Sequence, residues 1–200
     1  MVETGFFYSS VIDPILKSMR RRVANEITHK QTVIDIACGT GAQAFEIAQY
    51  AKHVVGIDIS ESMISYAKKE CNKRKIVNVE FFVADASNLN QFRKNEFEIA
   101  TLTMALHQFS PEISSPILRE LKRVAQKIIV VDYAVPLPKN FAGRLSHVIE
   151  FLAGRTHNKH FKQYYKQGGP NKILTQHELL IEKSVIFGQG AFQLVICTSA

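Results

Sequence analysis

The chain has 200 residues, of which 46% are apolar and 22% charged, enough for one domain with a sizeable core. These values, with 10 glycines and 6 prolines, exclude an intrinsically disordered, collagen-like or low-complexity chain. Lysine and arginine outnumber aspartate and glutamate by 25 to 18, a net charge of +7. This excess favours an anionic partner, but it serves equally to keep a protein soluble, so it selects no function.

The cysteine pattern bears on cellular location and on metal binding. Cys38, Cys71 and Cys197 are odd in number and widely spaced. No CxxC pair or histidine-rich cluster accompanies them, so neither a disulfide framework nor a zinc site is indicated, and no metal is expected. The chain opens without a basic stretch followed by an apolar run, and no segment reaches the length of a membrane span. We therefore expect a cytoplasmic protein with no membrane span.

The first predicted elements are a helix and a series of βαβ units. An amphipathic helix is expected at about residues 10–27, with Met19 and Val23 on its apolar side. Between Thr32 and Tyr133, short runs rich in valine and isoleucine alternate with segments of helical period. These runs are mostly apolar at successive positions, which is typical of parallel strands covered on both faces. The predicted strands are 33–37, 54–58, 79–83, 99–103 and 128–132, and the helices between them are 42–51, 60–74 and 111–127.

After Asp132 the alternation stops, and a stretch of about 136–175 does not follow the βαβ pattern. It contains a predicted helix at 141–152, a polar and aromatic segment at 154–165 and a Gly-Gly-Pro breaker. Two β-rich runs, 181–187 and 192–198, are joined by a Gly-Gln-Gly turn and form an antiparallel hairpin. The predicted fold is α/β: a single domain, 1–200, with a doubly wound, mostly parallel seven-stranded sheet that ends in this hairpin.

A glycine-rich turn between the first strand and the first helix is the most informative segment. It runs from Asp35 to Gly41, and its glycines let a ligand approach the backbone closely. Asp58 ends the second strand, where a carboxylate can accept both hydroxyls of a ribose. Asp35 argues against a dinucleotide, because its carboxylate would face a pyrophosphate of like charge in a partly desolvated site. S-adenosylmethionine has no phosphate and carries a sulfonium and an ammonium, so it suits these acids better.

These residues resemble the first motif of the class I S-adenosylmethionine-dependent methyltransferases, although Ala37 stands where the first glycine usually is. The resemblance covers roughly residues 8–200 and implies the Rossmann-like methyltransferase fold with S-adenosyl-L-methionine as cofactor. Residues 83–86 resemble the family's third motif, whose acid binds the adenine amino group, and residues 101–107 resemble the fourth, which flanks the methionine moiety. The cofactor-binding residues implied are Asp35, Ala37, Gly39, Gly41, Asp58, Ile59, Met63, Asp85, Ala86, Thr103 and Met104.

Methyl transfer from a sulfonium is an in-line displacement, so the enzyme mainly has to align the acceptor, and a general base is optional. Candidate bases are His107, Tyr8 and Asp132, each of which could instead serve packing or a turn. The 136–175 stretch lies where methyltransferases of this topology insert an acceptor-recognising cover. It resembles the small-molecule, ubiquinone/menaquinone-biosynthesis-like branch of the family. The candidate substrate-binding residues there are His157, Tyr164 and Tyr165.

The predicted function is S-adenosylmethionine-dependent transfer of a methyl group to a small-molecule acceptor. The alternatives are RNA or protein methylation, a non-catalytic cofactor-binding subunit and an NAD-dependent oxidoreductase. Nucleic acid is disfavoured because residues 101–104 lack the Asn/Asp-Pro-Pro-aromatic stretch of base-methylating enzymes. Most of the basic clusters also fall on helices expected to face solvent. The sequence leaves the oligomeric state open.

Overall fold

The computed structural model describes residues 13–28 and 30–199, with side chains from Leu16 onward. Tyr8 and the first turn of the predicted N-terminal helix lie outside the described residues. Within them, no helix is both long enough and apolar enough to cross a membrane.

Seven strands form one mixed sheet in the order β3-β2-β1-β4-β5-β7-β6. The first five strands are parallel, and β7 pairs antiparallel with both β5 and β6. The central strands are buried over most of their length, as the continuous apolar runs predicted. The strands are β1 (Thr32–Ile36), β2 (His53–Asp58), β3 (Val79–Val83), β4 (Phe97–Thr103), β5 (Ala125–Tyr133), β6 (Leu179–Phe187) and β7 (Phe192–Ser199). The predicted fold class is confirmed.

Seven α-helices are described alongside the sheet. They are α1 (Asp13–Ala24), α2 (Ala42–Ile47), α3 (Glu61–Lys73), α4 (Pro111–Val124), α5 (Phe141–Leu152), α6 (Arg155–Gln167) and α7 (Gly169–Gln176). A short 3₁₀ helix, Leu106–Gln108, follows β4. Ser60 is the N-cap of α3, with its Oγ accepting a hydrogen bond from Met63 N at 3.4 Å. This cap satisfies one of the amides that a helix start leaves unpaired.

Two predicted helix ends are wrong, and one helix was not predicted. The first crossover helix ends at Ile47 rather than at residue 51, and the helix predicted to reach residue 127 ends at Val124. Residues 125–127 already belong to β5, where Ala125 and Lys127 pair with Phe97 and Ile99 of β4. The polar segment at 154–165, for which no helix was predicted, forms most of α6. Strand pairing and packing thus override local pattern at these points.

The sheet separates two apolar clusters, one on each face. Met19 and Val23 of α1 belong to the cluster that includes Val33 and Ile99. The other cluster contains Tyr133 together with Tyr164 of α6. Because β1, β2, β4 and β5 are parallel, their carboxyl ends meet at one edge. Ligands bind at this edge in open α/β sheets.

Candidate functional site

The turn after β1 holds an open stretch of backbone. Gly39 and Gly41 have φ values of +53° and +78°, and Ala37, at +53°, also lies in the left-handed region that non-glycine residues rarely adopt. A Cβ on Gly41 would lie 2.6 Å from Cζ of Phe81, whereas a Cβ on Gly39 would meet no atom of the described residues within 4 Å. Gly41 is therefore required by packing, and Gly39 leaves the backbone open to a ligand.

Asp58, at the end of β2, anchors this turn. Its Oδ2 accepts a hydrogen bond from Gly39 N and its Oδ1 accepts one from Ser60 N, both at 2.9 Å. An ionised carboxylate has about four acceptor positions, so two are left at this half-exposed side chain. The carboxylate can hold the glycine turn and still accept hydroxyl groups from a ligand.

Asp35 is buried in β1, with 1% of its surface exposed. Its Oδ1 accepts a hydrogen bond from Thr101 Oγ1 at 2.6 Å, and its Oδ2 has no hydrogen-bond partner in the described part of the chain. Burial raises the pKa of Asp35 to about 7; the hydrogen bond from Thr101 lowers it, and the nearby charge of Asp58 raises it. A buried carboxylate with a free oxygen is costly unless a cationic group or a proton compensates it.

The predicted adenine and ribose contacts lie together beyond β2 and β3. Asp58 pairs with Val83 in the strand register, and Ala84 N donates to Asp58 O at 3.0 Å. This pairing places Ile59, which is 75% exposed, near the start of the turn that holds Asp85. Asp85 is exposed, and the backbone hydrogen bond from Ser87 N lowers the pKa of its carboxyl group. Met63 and Ala86 are each partly exposed in the same region.

The turn after β4 supplies the next two predicted cofactor residues. Thr103 has a buried Oγ1 without a hydrogen-bond partner among the described residues. Met104 follows with φ +55°, and its amide donates to Val131 O at 2.8 Å. This conformation directs the chain into the 3₁₀ helix that carries His107.

His107 and Asp132, predicted separately as candidate bases, are directly bonded. Nδ1 of His107 lies 2.6 Å from Oδ1 of Asp132, and the His107 amide donates to Asp132 Oδ2 at 3.1 Å. Both side chains are buried, at 2% and 0% exposure. Burial alone would lower the pKa of His107, but Asp132 and then Glu150 raise it above its usual value.

Two residues of the insertion extend this pair into a histidine–carboxylate cluster consisting of His107, Asp132, Glu150 and His157. Nε2 of His107 lies 3.5 Å from Glu150 Oε1, and Nε2 of His157 lies 2.6 Å from Glu150 Oε2. Tyr133 donates its hydroxyl hydrogen to Glu150 Oε1 at 2.9 Å. Burial favours a raised pKa for Glu150, but the contacts with His157 and His107 outweigh it and lower that pKa.

The cluster lies beside a cavity of about 550 Å³ whose lining is mostly apolar. Leu145 and Ile149 of α5 and Phe192 of β7 contribute apolar walls, while His107, Glu150 and His157 are among the polar residues of the lining. Met104, one of the predicted cofactor contacts, also lines it. Few polar groups in an apolar cavity are typical of a small-molecule site.

Other predicted site residues lie apart from the cavity. Tyr164 is buried in the core and donates its hydroxyl hydrogen to the carbonyl oxygen of Tyr133. The hydroxyl oxygen of Tyr165 accepts a hydrogen bond from Leu137 N at 3.2 Å. Neither tyrosine is among the cavity-lining residues, and Asp132 is not one either, although it bonds to His107, which is.

The sequence-based prediction missed Glu150 as a site residue. Glu150 is only 3% exposed, and it sits within the apolar stretch from Val148 to Leu152. A single acid within such a run on a predicted helix is the signal that could have identified it, because buried carboxylates need a partner.

Comparison with known proteins finds a methyltransferase domain in part of the chain. A family model described as a methyltransferase domain matches residues 33–127, which include the glycine turn, Asp58, Asp85 and His107. The solved magnesium protoporphyrin IX methyltransferase from Synechocystis, with bound S-adenosylhomocysteine, superposes with a TM-score of 0.68 at 18% identity. The alignment covers 99% of this chain and 89% of that one. Residues 33–127 therefore match a methyltransferase domain, as the motifs in this part of the chain predicted, and the solved structure shares the fold of the chain.

Two curated relatives are more similar in sequence over shorter segments. A probable S-adenosylmethionine-dependent methyltransferase from Saccharomyces cerevisiae is 34% identical over 107 residues, covering 50% of this chain and 37% of the relative. A demethylmenaquinone methyltransferase from Lactococcus lactis is 28% identical over 143 residues, covering 66% of this chain and 55% of the relative. Shorter segments also match RNA methyltransferases. The chain thus spans about a third to a half of these first two relatives' length.

Proposed function

We propose that this protein transfers the methyl group of S-adenosylmethionine to a small, largely apolar acceptor that carries one ionisable polar group. The observation that carries the proposal is the composition of the cavity. Apolar side chains form most of its lining, His107 is among its few polar groups, and Met104 also lines it. An acceptor held there would lie next to the predicted cofactor residues.

The described residues fit the cofactor in two respects. Two buried polar atoms that find no hydrogen-bond partner among residues 13–28 and 30–199 lie near the carboxyl ends of β1 and β4, namely Asp35 Oδ2 and Thr103 Oγ1. Hydrogen-bond donors or acceptors of a ligand would satisfy them there. The open backbone at Gly39 and the two spare acceptor positions of Asp58 suit a ribose beside the glycine turn.

The charge of this region favours a cation over a diphosphate. Asp35 and Asp58 both lie against the turn, close enough for the charge of Asp58 to raise the pKa of Asp35. The turn itself, residues 37–41, contains no lysine or arginine. A pyrophosphate would face two carboxylates without a compensating charge, which supports S-adenosylmethionine over a nicotinamide dinucleotide.

In this mechanism the protein mainly positions the acceptor and receives its proton. When bound, S-adenosylmethionine supplies an electrophilic methyl group. Asp132 holds Nδ1 of His107, so the proton on the imidazole stays at Nδ1 and Nε2 can accept a proton from the acceptor. Alignment by the cavity walls contributes up to about 7–11 kcal/mol, against about 3–5 kcal/mol for the base.

The acceptor class follows from the cavity and from one relative. The Lactococcus relative is named a demethylmenaquinone methyltransferase. We infer that a hydroxylated aromatic ring with an apolar substituent suits this cavity, because its ring and chain would contact the aliphatic walls and its hydroxyl group would face His107.

The test measures cofactor binding and methyl transfer separately. Calorimetry should detect S-adenosylhomocysteine binding and no NAD binding. Release of S-adenosylhomocysteine should then follow addition of apolar phenols or quinols, but not of tRNA or a peptide pool. Binding of NAD in preference to S-adenosylhomocysteine, or methylation of tRNA alone, would refute the proposal.

A pair of variants on α5 sharpens the acceptor test. Leu145→Trp places a large ring in the cavity, whereas Val148→Trp adds the same ring at a position that is 53% exposed on the same helix. We expect only Leu145→Trp to abolish acceptor turnover, with S-adenosylhomocysteine affinity unchanged in both. Equal turnover in the two variants would place the acceptor elsewhere.

A further inference from the structure

We propose that His107, Glu150 and His157 form a binding site for a divalent transition-metal ion, with zinc as the preferred ion, at the polar end of the cavity. Two histidines and one carboxylate are an established zinc ligand set. His107 lies more than forty positions before Glu150 and His157 in the sequence, and the fold brings it to them. Metal binding does not depend on the proposed methyl transfer.

The donor atoms lie close enough for one ion. One donor from each residue, the two imidazole nitrogens and a carboxylate oxygen, all lie within 4.8 Å of one another. Zinc binds nitrogen and oxygen at about 2.0–2.2 Å, so two tetrahedral ligands are about 3.4 Å apart. The 3.5 Å separation of His107 Nε2 from Glu150 Oε1 already matches this spacing. His157 Nε2 contacts the other carboxylate oxygen, Glu150 Oε2, at 2.6 Å, so the partly exposed His157 ring has to rotate to share one ion with His107.

Neighbouring residues already hold two of the three ligands in place. Asp132 engages Nδ1 of His107, which leaves Nε2 as the nitrogen that faces Glu150. Tyr133 donates a hydrogen bond to Glu150 Oε1. A carboxylate behind a ligating histidine and a hydrogen bond to a ligating carboxylate are regular features of protein metal sites, where they fix ligand orientation.

The charge of the group also calls for a cation. Asp132 and Glu150 are 0% and 3% exposed, and their ion pairs among the described residues are with histidines alone. With both carboxylates ionised and both imidazoles neutral, the cluster carries two buried negative charges. Protons on the histidines can offset this charge, and so can one divalent ion.

Three protein ligands beside a cavity leave a coordination position free. Structural zinc sites are closed by four protein ligands, whereas sites that act on a ligand keep one position open. A hydroxyl oxygen of the acceptor would occupy that position and be oriented by the metal; this role rests on the proposed function. Because Nε2 of His107 has one lone pair, metal binding and proton acceptance by His107 are alternative states.

The experiment titrates the chelator-stripped full-length chain with zinc chloride and, separately, with cobalt(II). We expect calorimetry to show that each chain binds one zinc ion. The visible absorption spectrum of the cobalt(II) form should be that of a cobalt ion with low coordination number, without a thiolate-to-cobalt charge-transfer band. His157→Ala should weaken zinc binding by about 100-fold or more, and Tyr133→Phe, which removes no ligand, by about 10-fold. His160→Ala is the control, since His160 lies on the same helix and bonds to Gln108 O instead.

The proposed metal site would be overturned if the chelator-stripped wild-type chain bound no zinc, or if His157→Ala and wild type had equal zinc affinity. A cobalt–thiolate band, which would reveal cysteine ligands, would also overturn it. Glu150→Gln provides a second ligand test if His157→Ala does not fold. S-adenosylhomocysteine binding, measured on the same samples, shows that the domain is folded. Metal binding without methyl transfer refutes only the proposed function, and methyl transfer without metal binding refutes only this inference.

Discussion

Replacing Asp35 by asparagine tests whether its buried carboxylate, when ionised, lowers the free energy of unfolding. The pKa of Asp35 is raised from 3.8 to about 7, chiefly by burial. The difference is 7 − 3.8, or about 3 units, and each unit corresponds to about 1.4 kcal/mol. The ionised side chain therefore destabilises the unliganded fold by about 4 kcal/mol at high pH.

The sign of the pH dependence follows from the two states. Between pH 3.8 and about 7 the unfolded chain has lost this proton and the folded protein retains it, so the free energy of unfolding falls as pH rises. Above about pH 7 both states are ionised and the penalty is constant. Asparagine has the same size, can accept the Thr101 hydrogen bond and does not titrate.

We expect the stability of Asp35→Asn relative to wild type to increase by about 2–3 kcal/mol between about pH 5 and pH 8. Urea unfolding of the unliganded proteins at both pH values measures this difference. The variant should also lose affinity for S-adenosylhomocysteine, because it lacks the charge that attracts the ligand ammonium. As a control, Thr101→Val should shift the stability loss to higher pH by removing the hydrogen bond that lowers the pKa. A wild-type and Asp35→Asn difference that is independent of pH would refute the assignment.

The remaining predictions concern the glycine turn, the ribose and the base. Gly41→Ala should destabilise the fold by about 2–5 kcal/mol in urea unfolding, because its φ is +78° and its new Cβ would overlap the Phe81 ring. Gly39→Ala should cost only about 1–2 kcal/mol of stability and mainly weaken ligand binding in calorimetry. Equal effects of the two substitutions would contradict this distinction. Asp58→Ala should weaken S-adenosylhomocysteine binding by about 1.5–3 kcal/mol in calorimetry, and unchanged affinity would reject the ribose assignment. His107→Asn should lower kcat by about 10²- to 10⁴-fold with S-adenosylhomocysteine affinity retained, and an unaltered kcat would remove His107 from the reaction.

The sequence predicted the elements whose local pattern and final environment agree. Both faces of β1 and β2 are covered, so their continuous apolar runs identified them within about one residue. The helix predicted at 60–74 has Ser60 as its N-cap in the structure, where the serine side chain accepts a hydrogen bond from Met63 N. The order of motifs along the chain placed the acids at strand ends.

The features that the sequence did not predict depend on contacts between distant segments. Residues 125–127 have no local feature that distinguishes a strand from the last turn of a helix, and pairing with β4 decides the outcome. His107 and Asp132 were each predicted as candidates, but their bond joins positions 25 residues apart. Glu150 joins them only because the packing of the insertion places α5 beside the 3₁₀ helix, which no periodicity encodes.

The two long helices of the insertion are attached to the protein very differently. α6 inserts Phe161 and Tyr164 into the central core, whereas α5 presents Phe151 and Leu152 to solvent, each more than 70% exposed. Local opening should therefore be cheaper for α5 than for α6. Displacement of α5 about the fixed α6 would give an apolar molecule a route into the cavity, so backbone amides of α5 should exchange with deuterium sooner than those of α6.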